Sequence, residues 1–405
     1  MNHRMNRSRL NIGAYILQPY ARTEAHIRDV VDCGVDFIVG MGDDRPALDL
    51  FAKYGLGAIV SGVLPGWWGG NGDNAGTMAE KNPLSKYDEI ADTFVDHPAI
   101  WGIDTGDEPS ALDFPHYGKV IDLVSRRFPT LFPYINLYPN YASVAENTGE
   151  QTINQLGTPT YEEHIAEYVR NVPTDYICYD FYLYSKSAQR AFINLWTVSD
   201  ACRTTGRSLW IVLQVNSNPS RRTQILSANQ IRFQAYTAMA FGAENIIWGC
   251  YTAGWWYNNV LDTEGNKTEQ YDKLREVNAE LHTLGEVYMR YRRTDTYFLS
   301  FPEEMRNSKE VYSDGFISEL RSENKLPLIV GSMVERNGGS HAYMLCSCDD
   351  HMDQNPQLNN VSFRLNGRTA VLHRPTGAQI LLPDADGKFS FDLPSNHGAL
   401  LEIIE

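Results

Sequence analysis

Ala99-Ile-Trp-Gly-Ile-Asp-Thr-Gly-Asp-Glu-Pro109 is an apolar run of strand character that ends in acids, a glycine and a proline, and Phe114 to Phe128 behind it has helical spacing. A buried strand followed by an amphipathic helix is the repeating unit of a parallel sheet with crossover connections. Working outward, the same unit recurs. The strand-like runs are Asn11 to Leu17, Val35 to Met41, Gly57 to Leu64, Ala99 to Thr105, Leu131 to Tyr138, Asp175 to Tyr184, Leu209 to Asn216 and Asn245 to Thr252. Helical spacing fills the gaps, as in Thr23 to Cys33, Tyr87 to Phe94, Ser187 to Thr204 and Ser227 to Phe241, and Thr268 to Met289 supplies a long final helix. Eight such units in roughly 280 residues predict a (β/α)8 TIM barrel. A doubly wound open sheet is the alternative, but the first βα turn lacks a Gly-x-Gly-x-x-Gly fingerprint.

Beyond about residue 294 the texture changes to short alternating runs: Pro327 to Gly331, Ala342 to Cys346, Val361 to Leu365, Ala370 to His373 and Ala399 to Ile404. Turn residues separate them at Asn337-Gly-Gly-Ser340, Asn366-Gly367 and Asp386-Gly387. The expected organisation is a barrel over residues 1–293 and a small antiparallel β-sandwich over 294–405.

Hydrophobic residues make up 43% and charged residues 21% of the 405, as in an ordinary globular chain. A formal net charge of -15 without a Lys/Arg stripe argues against a nucleic-acid partner. No stretch approaches the ~20 apolar residues of a membrane helix. The basic start, Met1 to Arg9, is not followed by a signal-type apolar run, so the chain as written reads as cytoplasmic; a leader removed from it would make it periplasmic or secreted. Of the six cysteines only Cys346-Ser-Cys348 is close-spaced, too few for the usual zinc site, and reduced buried thiols are expected. Asp349, Asp350, His351 and Asp353 read as a solvated acidic loop rather than a metal site, and the glycines of Gly69-Gly70-Asn71-Gly72 lack the residues of a phosphate loop. No metal and no cofactor is expected.

In a (β/α)8 barrel the reacting groups stand at the C-terminal ends of the strands. Asp104, Asp107 and Glu108 cluster at the fourth such end. Capping of the next helix, entered at Pro109-Ser110, accounts for one acid but not three. A carboxylic acid with a pKa raised by a pocket and by a neighbouring carboxylate can protonate a leaving oxygen.

With that residue pattern the chain resembles the (β/α)8-barrel glycoside hydrolases, whose acid/base Glu closes the fourth strand, often as Asn-Glu-Pro or Asp-Glu-Pro; Glu108 is the matching position. The resemblance spans about residues 11 to 290 in architecture. It implies a nucleophilic Glu at the end of the seventh strand, where Leu209 to Asn216 offers Gln214 and no acid. Three completions are open. In one, Asp180 is the base of an inverting pair, set back by about 6.5–9.5 Å to admit water; alternation along Asp175 to Tyr184 puts Cys178, Asp180 and Tyr182 on one face. In the second, Asp107-Glu108 is similar to the Asp-Glu pair of the β-N-acetylhexosaminidases, where the Asp orients a 2-acetamido group that attacks the anomeric carbon, with Tyr182 polarising the acetamide. In the third, the barrel binds carbohydrate without hydrolysing it.

Sugar sites combine aromatic platforms with amides, carboxylates and Tyr hydroxyls. The strand ends supply that mixture: Gln18 and Tyr20 after the first strand, Asp43 and Asp44 after the second, Trp67 and Trp68 after the third, Asn136, Tyr138 and Asn140 at the fifth, Gln214 and Asn216 at the seventh, and Trp248, Tyr251, Trp255 and Trp256 at the eighth. These are the candidate substrate-binding residues for an oligosaccharide or glycoside.

Overall fold

The computed structural model describes residues 4–68, 74–88, 96–142, 155–218, 224–348, 357–365 and 367–404. Outside them lie Gly69, Gly70, Asn71 and Gly72, the acidic run Asp349, Asp350, His351 and Asp353, the turn residue Asn366, and positions 89–94 of the helix expected from Tyr87.

Eight parallel strands form a nearly closed barrel: β1 (Asn11–Tyr15), β2 (Phe37–Met41), β3 (Gly57–Val60), β4 (Ile100–Asp107), β5 (Phe132–Asn136), β6 (Tyr176–Phe181), β7 (Ser208–Gln214) and β8 (Ala243–Gly249). They run in the order β5-β4-β3-β2-β1-β8-β7-β6, with β1 paired to β8 from Asn11 opposite Asn245 to Ala14 opposite Trp248. Between β5 and β6 the ladder shrinks to a bridge, where Leu137 N donates to Cys178 O at 2.9 Å.

Side chains fill the interior as a packed core rather than a pore. Phe37, Val39, Ile59, Phe132, Tyr176, Cys178, Trp210 and Ile247 meet there, with Tyr176 stacked on Trp210 at 4.3 Å between ring centroids. Large rings on some strands require glycine on their neighbours: a Cβ at Gly13 would stand 2.4 Å from the Phe37 ring, and one at Gly57 2.1 Å from that of Trp101.

Helices α1 (Glu24–Asp32), α2 (Arg45–Tyr54), α3 (Met78–Lys81), α4 (Phe114–Arg127), α5 (Tyr161–Asn171) and α6 (Ala188–Thr205) alternate with these strands. Their starts are capped by Thr23, Asp44, Thr160 and Ser187, whose side-chain oxygens accept free backbone N–H groups of the first turn of α1, α2, α5 and α6.

The chain divides into two compact units. The first holds Met1–Arg7, Asn11–Arg222 and Asn245–Thr268; the second holds Ser8–Leu10, Thr223–Glu244 and Glu269–Glu405. The sequence places its change of texture near residue 294, and the antiparallel strands do begin close by, at β9 (Tyr291–Leu299). The second unit nevertheless reaches back to helices α7 (Ala228–Ala240) and α8 (Glu269–Tyr288), because these pack with the later strands. α7 is buried on every side from Asn229 to Ala240, as expected of an internal helix. Its buried Arg232 pairs with Glu276 and Glu280 of α8, and Tyr236 donates to Glu280 at 3.0 Å.

The remaining strands are β10 (Ser308–Lys309), β11 (Ser318–Ser322), β12 (Leu328–Glu335), β13 (His341–Ser347), β14 (Leu358–Arg364), β15 (Thr369–Arg374), β16 (Gly377–Leu381), β17 (Lys388–Pro394) and β18 (Gly398–Ile404). They build a seven-stranded sheet ordered β10-β9-β12-β13-β18-β15-β16 and a three-stranded sheet β11-β14-β17. All pairings given within these sheets are antiparallel except that of β9 with β10. Leu328, Val330, Tyr343, Leu345, Phe363, Phe391 and Leu401 share one core. The six cysteines are all buried and outside disulfides, and no described helix is long and apolar enough to cross a membrane.

Candidate active site

Strand β4 ends at Asp107, and Glu108 follows in a left-handed backbone conformation with φ 44°. A non-glycine residue there costs of order 1–3 kcal/mol and persists only when its surroundings enforce it. Here the Glu108 N–H is held by the carbonyl of Asn136 at 2.8 Å. Neither acid caps a helix: Ser110 caps the short turn Ala111–Asp113, and Asp113 stands at the N-terminus of α4. The capping explanation for Asp107 and Glu108 is thereby removed.

Asp107 and Glu108 line a cavity of about 220 Å³ with Tyr15, Asn136, Asp180, Tyr182, Val212, Trp255 and Trp256. Every one comes from a C-terminal strand end or the loop after it. The volume is below the ~300–1,000 Å³ of pockets for drug-sized ligands. Trp255 meets Tyr15 edge-on at 5.3 Å and Tyr182 packs edge-on against Trp256 at 4.6 Å, so the aromatic wall is braced from two strands. The Trp255 indole N–H is buried without a hydrogen-bond partner.

Asn136 organises the acids. Its amide nitrogen donates to Asp107 at 3.1 Å and to Asp180 at 2.9 Å, while its amide oxygen faces the Cys178 thiol at 3.6 Å. Asp180 is only 4% exposed and also takes a long bond from Tyr141 at 3.5 Å. Burial, then the charge of Asp107, lifts Asp180 to about 7 against the opposing pull of the Asn136 bond. Glu108 goes well above the usual carboxylate range, through burial first, then the charges of Asp180 and Asp107, and finally a hydrogen bond in which its own proton is given to Asp180. Asp107 opens onto the cavity while protein surrounds the rest of it. Burial by those surroundings, with the charge of Asp104 added and the Asn136 bond opposing, raises it to about 6. Because water reaches Asp107, its ionised form is the best solvated of the three, which agrees with its lower value.

Burial and the charges of its neighbours favour the protonated form of Glu108, and Asp107, at about 6, is the acid of this cavity readiest to ionise. Asp104 sits one step deeper, accepting from Ser61 at 2.8 Å.

Of the residues singled out in the sequence, Asp107, Glu108, Asn136, Asp180, Tyr182, Trp255 and Trp256 come together at this cavity. Others support it. Gln18 donates to the Ala253 carbonyl at 2.7 Å, Tyr20 accepts from Ala253 N at 3.3 Å, and Asn216 donates to the Trp255 carbonyl at 2.9 Å, so all three hold the loop after β8. Gln214 is buried, taking the Tyr184 N–H and donating to the Asn216 carbonyl. Tyr138 is buried, and after burial the charge of Glu108 helps to raise its phenol.

The rest lie elsewhere. Asp43 pairs with Arg45 at 2.8 Å on the surface and Asp44 caps α2. Trp248 and Tyr251 are buried and do not line the cavity; the alternation that turns Ile247 inward turns Trp248 outward. Trp67 sits beneath the Lys81 ammonium at 5.6 Å, Trp68 is 46% exposed, and both stand outside the cavity lining. Asn140 bonds to α6 through Asn194 and Arg190.

Sequence reasoning missed Tyr15, Val212 and Tyr141. Tyr15 was detectable by alternation with Gly13, but the strand was carried to Leu17, whereas it ends at Tyr15 and Ile16 turns left-handed with φ 66°. Tyr141 lies in a loop with no periodic signal.

No family model matches the chain, and no curated protein matches it in sequence. Solved structures do. The cycloisomaltooligosaccharide glucanotransferase of Paenibacillus sp., complexed with cycloisomaltoheptaose, superposes with TM-score 0.56 over 98% of this chain and 85% of its own at 9% identity. A glucosidase from Croceicoccus marinus gives 0.47 over 98% and 96% at 10% identity, and xylanase 10B from Thermotoga maritima 0.44 over 67% and 95% at 13%. At these identities the likeness is one of fold, and it is carried by the first of the three.

Proposed function

We propose that this chain is a glycoside hydrolase in which Glu108 protonates the departing glycosidic oxygen. The observation that carries the reading is the set of three carboxylic acids, Asp107, Glu108 and Asp180, in the wall of one small cavity flanked by Trp255 and Trp256, where burial and the neighbouring charges raise Glu108 well above the usual carboxylate range. A sugar ring stacks its C–H face on the aromatic wall and bonds its hydroxyls to Asp107, Tyr15 and Tyr182. The Glu108 proton passes to the oxygen, the C–O bond breaks toward that oxygen, and the positive charge left at the anomeric carbon is stabilised by ionised Asp107. Water then adds at that carbon and returns a proton to the Glu108 carboxylate. Asp107, lower at about 6 and open to the cavity, is read as the second carboxylate at the reacting centre, with Asp180, whose charge helps to raise Glu108, a positioning residue that keeps the proton on Glu108. On a 2-acetamido sugar, Asp107 would instead orient the acetamide whose oxygen attacks the anomeric carbon.

Gln214, tied into backbone bonds where a nucleophilic Glu is expected, favours a second reading: a barrel that binds sugar without cleaving it. A panel of aryl glycosides of both anomers separates the two. Turnover that disappears in Glu108→Gln supports hydrolysis; sugar binding with no turnover anywhere in the panel supports binding alone.

A further inference from the structure

We infer that the site takes a sugar ring carrying no acid group, neutral or amine-bearing, and rejects uronate rings, with Asp107 as the discriminating residue. The inference rests on the reading of the cavity as a sugar site. Three of its lining side chains are carboxylic acids, and no Lys, Arg or His lines it among the described residues. Lys186 lies 4.6 Å from the centre of the Tyr141 ring, whose hydroxyl reaches Asp180 at 3.5 Å, and it does not line the cavity. The amide N–H groups of Asn136 are already bonded to Asp107 and Asp180 and offer no strong donor to a ligand carboxylate.

An ionised Asp107 can only accept hydrogen bonds, so it matches hydroxyl, amide N–H or ammonium donors. A second carboxylate in the same small cavity would meet it with no cation among the described lining residues between them, and like charges in partly desolvated surroundings repel strongly. The buried Trp255 N–H without a partner is a neutral donor suited to a ring hydroxyl.

The test is equilibrium binding at pH 7 of methyl glycosides, both anomers, of glucose, galactose, N-acetylglucosamine and N-acetylgalactosamine against those of glucuronic and galacturonic acid. Glucose and galactose are each compared with their own uronate. The tighter-binding neutral sugar of these two pairs is expected to bind at least about tenfold more tightly than its uronate. Asp107→Asn, or Asp107→Ser should the amide variant misfold, is expected to lower that ratio at least threefold. A uronate that binds as tightly as its neutral partner overturns the inference while leaving the sugar site standing. A ratio unmoved by both variants overturns Asp107 as its source. Binding of no glycoside overturns the sugar-site reading itself, and the inference with it.

Discussion

Asp107, Glu108 and Asp180 share one cavity in which burial and neighbouring charge raise all three, so their order of protonation decides the chemistry of this site. Asp107, raised to about 6, must be ionised and Glu108 protonated for the proposed step. The pH profile of kcat/KM on an aryl glycoside is therefore expected to be bell-shaped, with its acid limb near 6 and its alkaline limb above 7. Asp180→Asn removes a charge that holds the proton on Glu108, so the alkaline limb should move to lower pH and turnover should fall roughly tenfold or more. An alkaline limb that stays in place contradicts the positioning role. The same variant has a signature in stability. The folded value of Asp180, about 7, lies above its ordinary value of 3.8, so the contribution of its protonated form is complete below that ordinary value and is lost as pH rises through 7. Asp180→Asn stays neutral and should melt a few degrees above wild type at pH 8, with the gap closing toward pH 4. At this scale the sequence was informative near the strand ends: Asp180 of β6 and Tyr182 just after it both line the cavity, as do Asp107 at the end of β4 and Glu108 just after it. It was silent on Tyr141, which approaches Asp180 from a loop, and on the Asn136 amide, whose two carboxylate bonds require β4 and β6 to flank β5.

Among elements, the loop after β8 carries Trp255 and Trp256, and its shape is maintained from outside by Gln18, Tyr20 and Asn216. These three read from sequence as sugar ligands because they are polar and stand at strand ends. Being polar at a strand end is equally the mark of a residue that secures a neighbouring loop, and only geometry distinguishes the roles. Asn216→Ala is expected to raise KM about three- to tenfold with both pH limbs unmoved, since it loosens the aromatic wall without touching the acids; a lowered kcat with unchanged KM would contradict this. The strands themselves were legible as apolar runs, whereas their ends were not: Ile16, in a left-handed conformation, stops β1 two residues before its apolar pattern does. Gly13→Ala tests the barrel packing. Its Cβ would lie 2.4 Å from the Phe37 ring, so a loss of about 1–3 kcal/mol by denaturant titration is expected, largely recovered when Phe37→Leu is added.

For the whole molecule, alternation of eight strands and helices was enough to specify the barrel, because each unit announces itself locally. The grouping of α7 and α8 with the later sheets was not legible, since it depends on contacts between segments far apart in the chain. One consequence is that a cut at residue 293 does not release a self-sufficient piece: α7 is buried on all sides, and the strands it packs against, β12 and β13, would be gone. A fragment of residues 1–293 is expected to aggregate or to melt well below the full chain; a soluble fragment with unchanged melting temperature would contradict this division. The central claim, that Glu108 delivers a proton to the leaving oxygen, is tested most directly by kcat/KM for aryl glycosides graded by leaving-group pKa, in wild type and Glu108→Gln. The account predicts that the variant loses about 10²–10⁴-fold on poor leaving groups and less than about tenfold on dinitrophenyl glycosides, which need no proton. An equal loss across the whole series, or no loss at all, would contradict it.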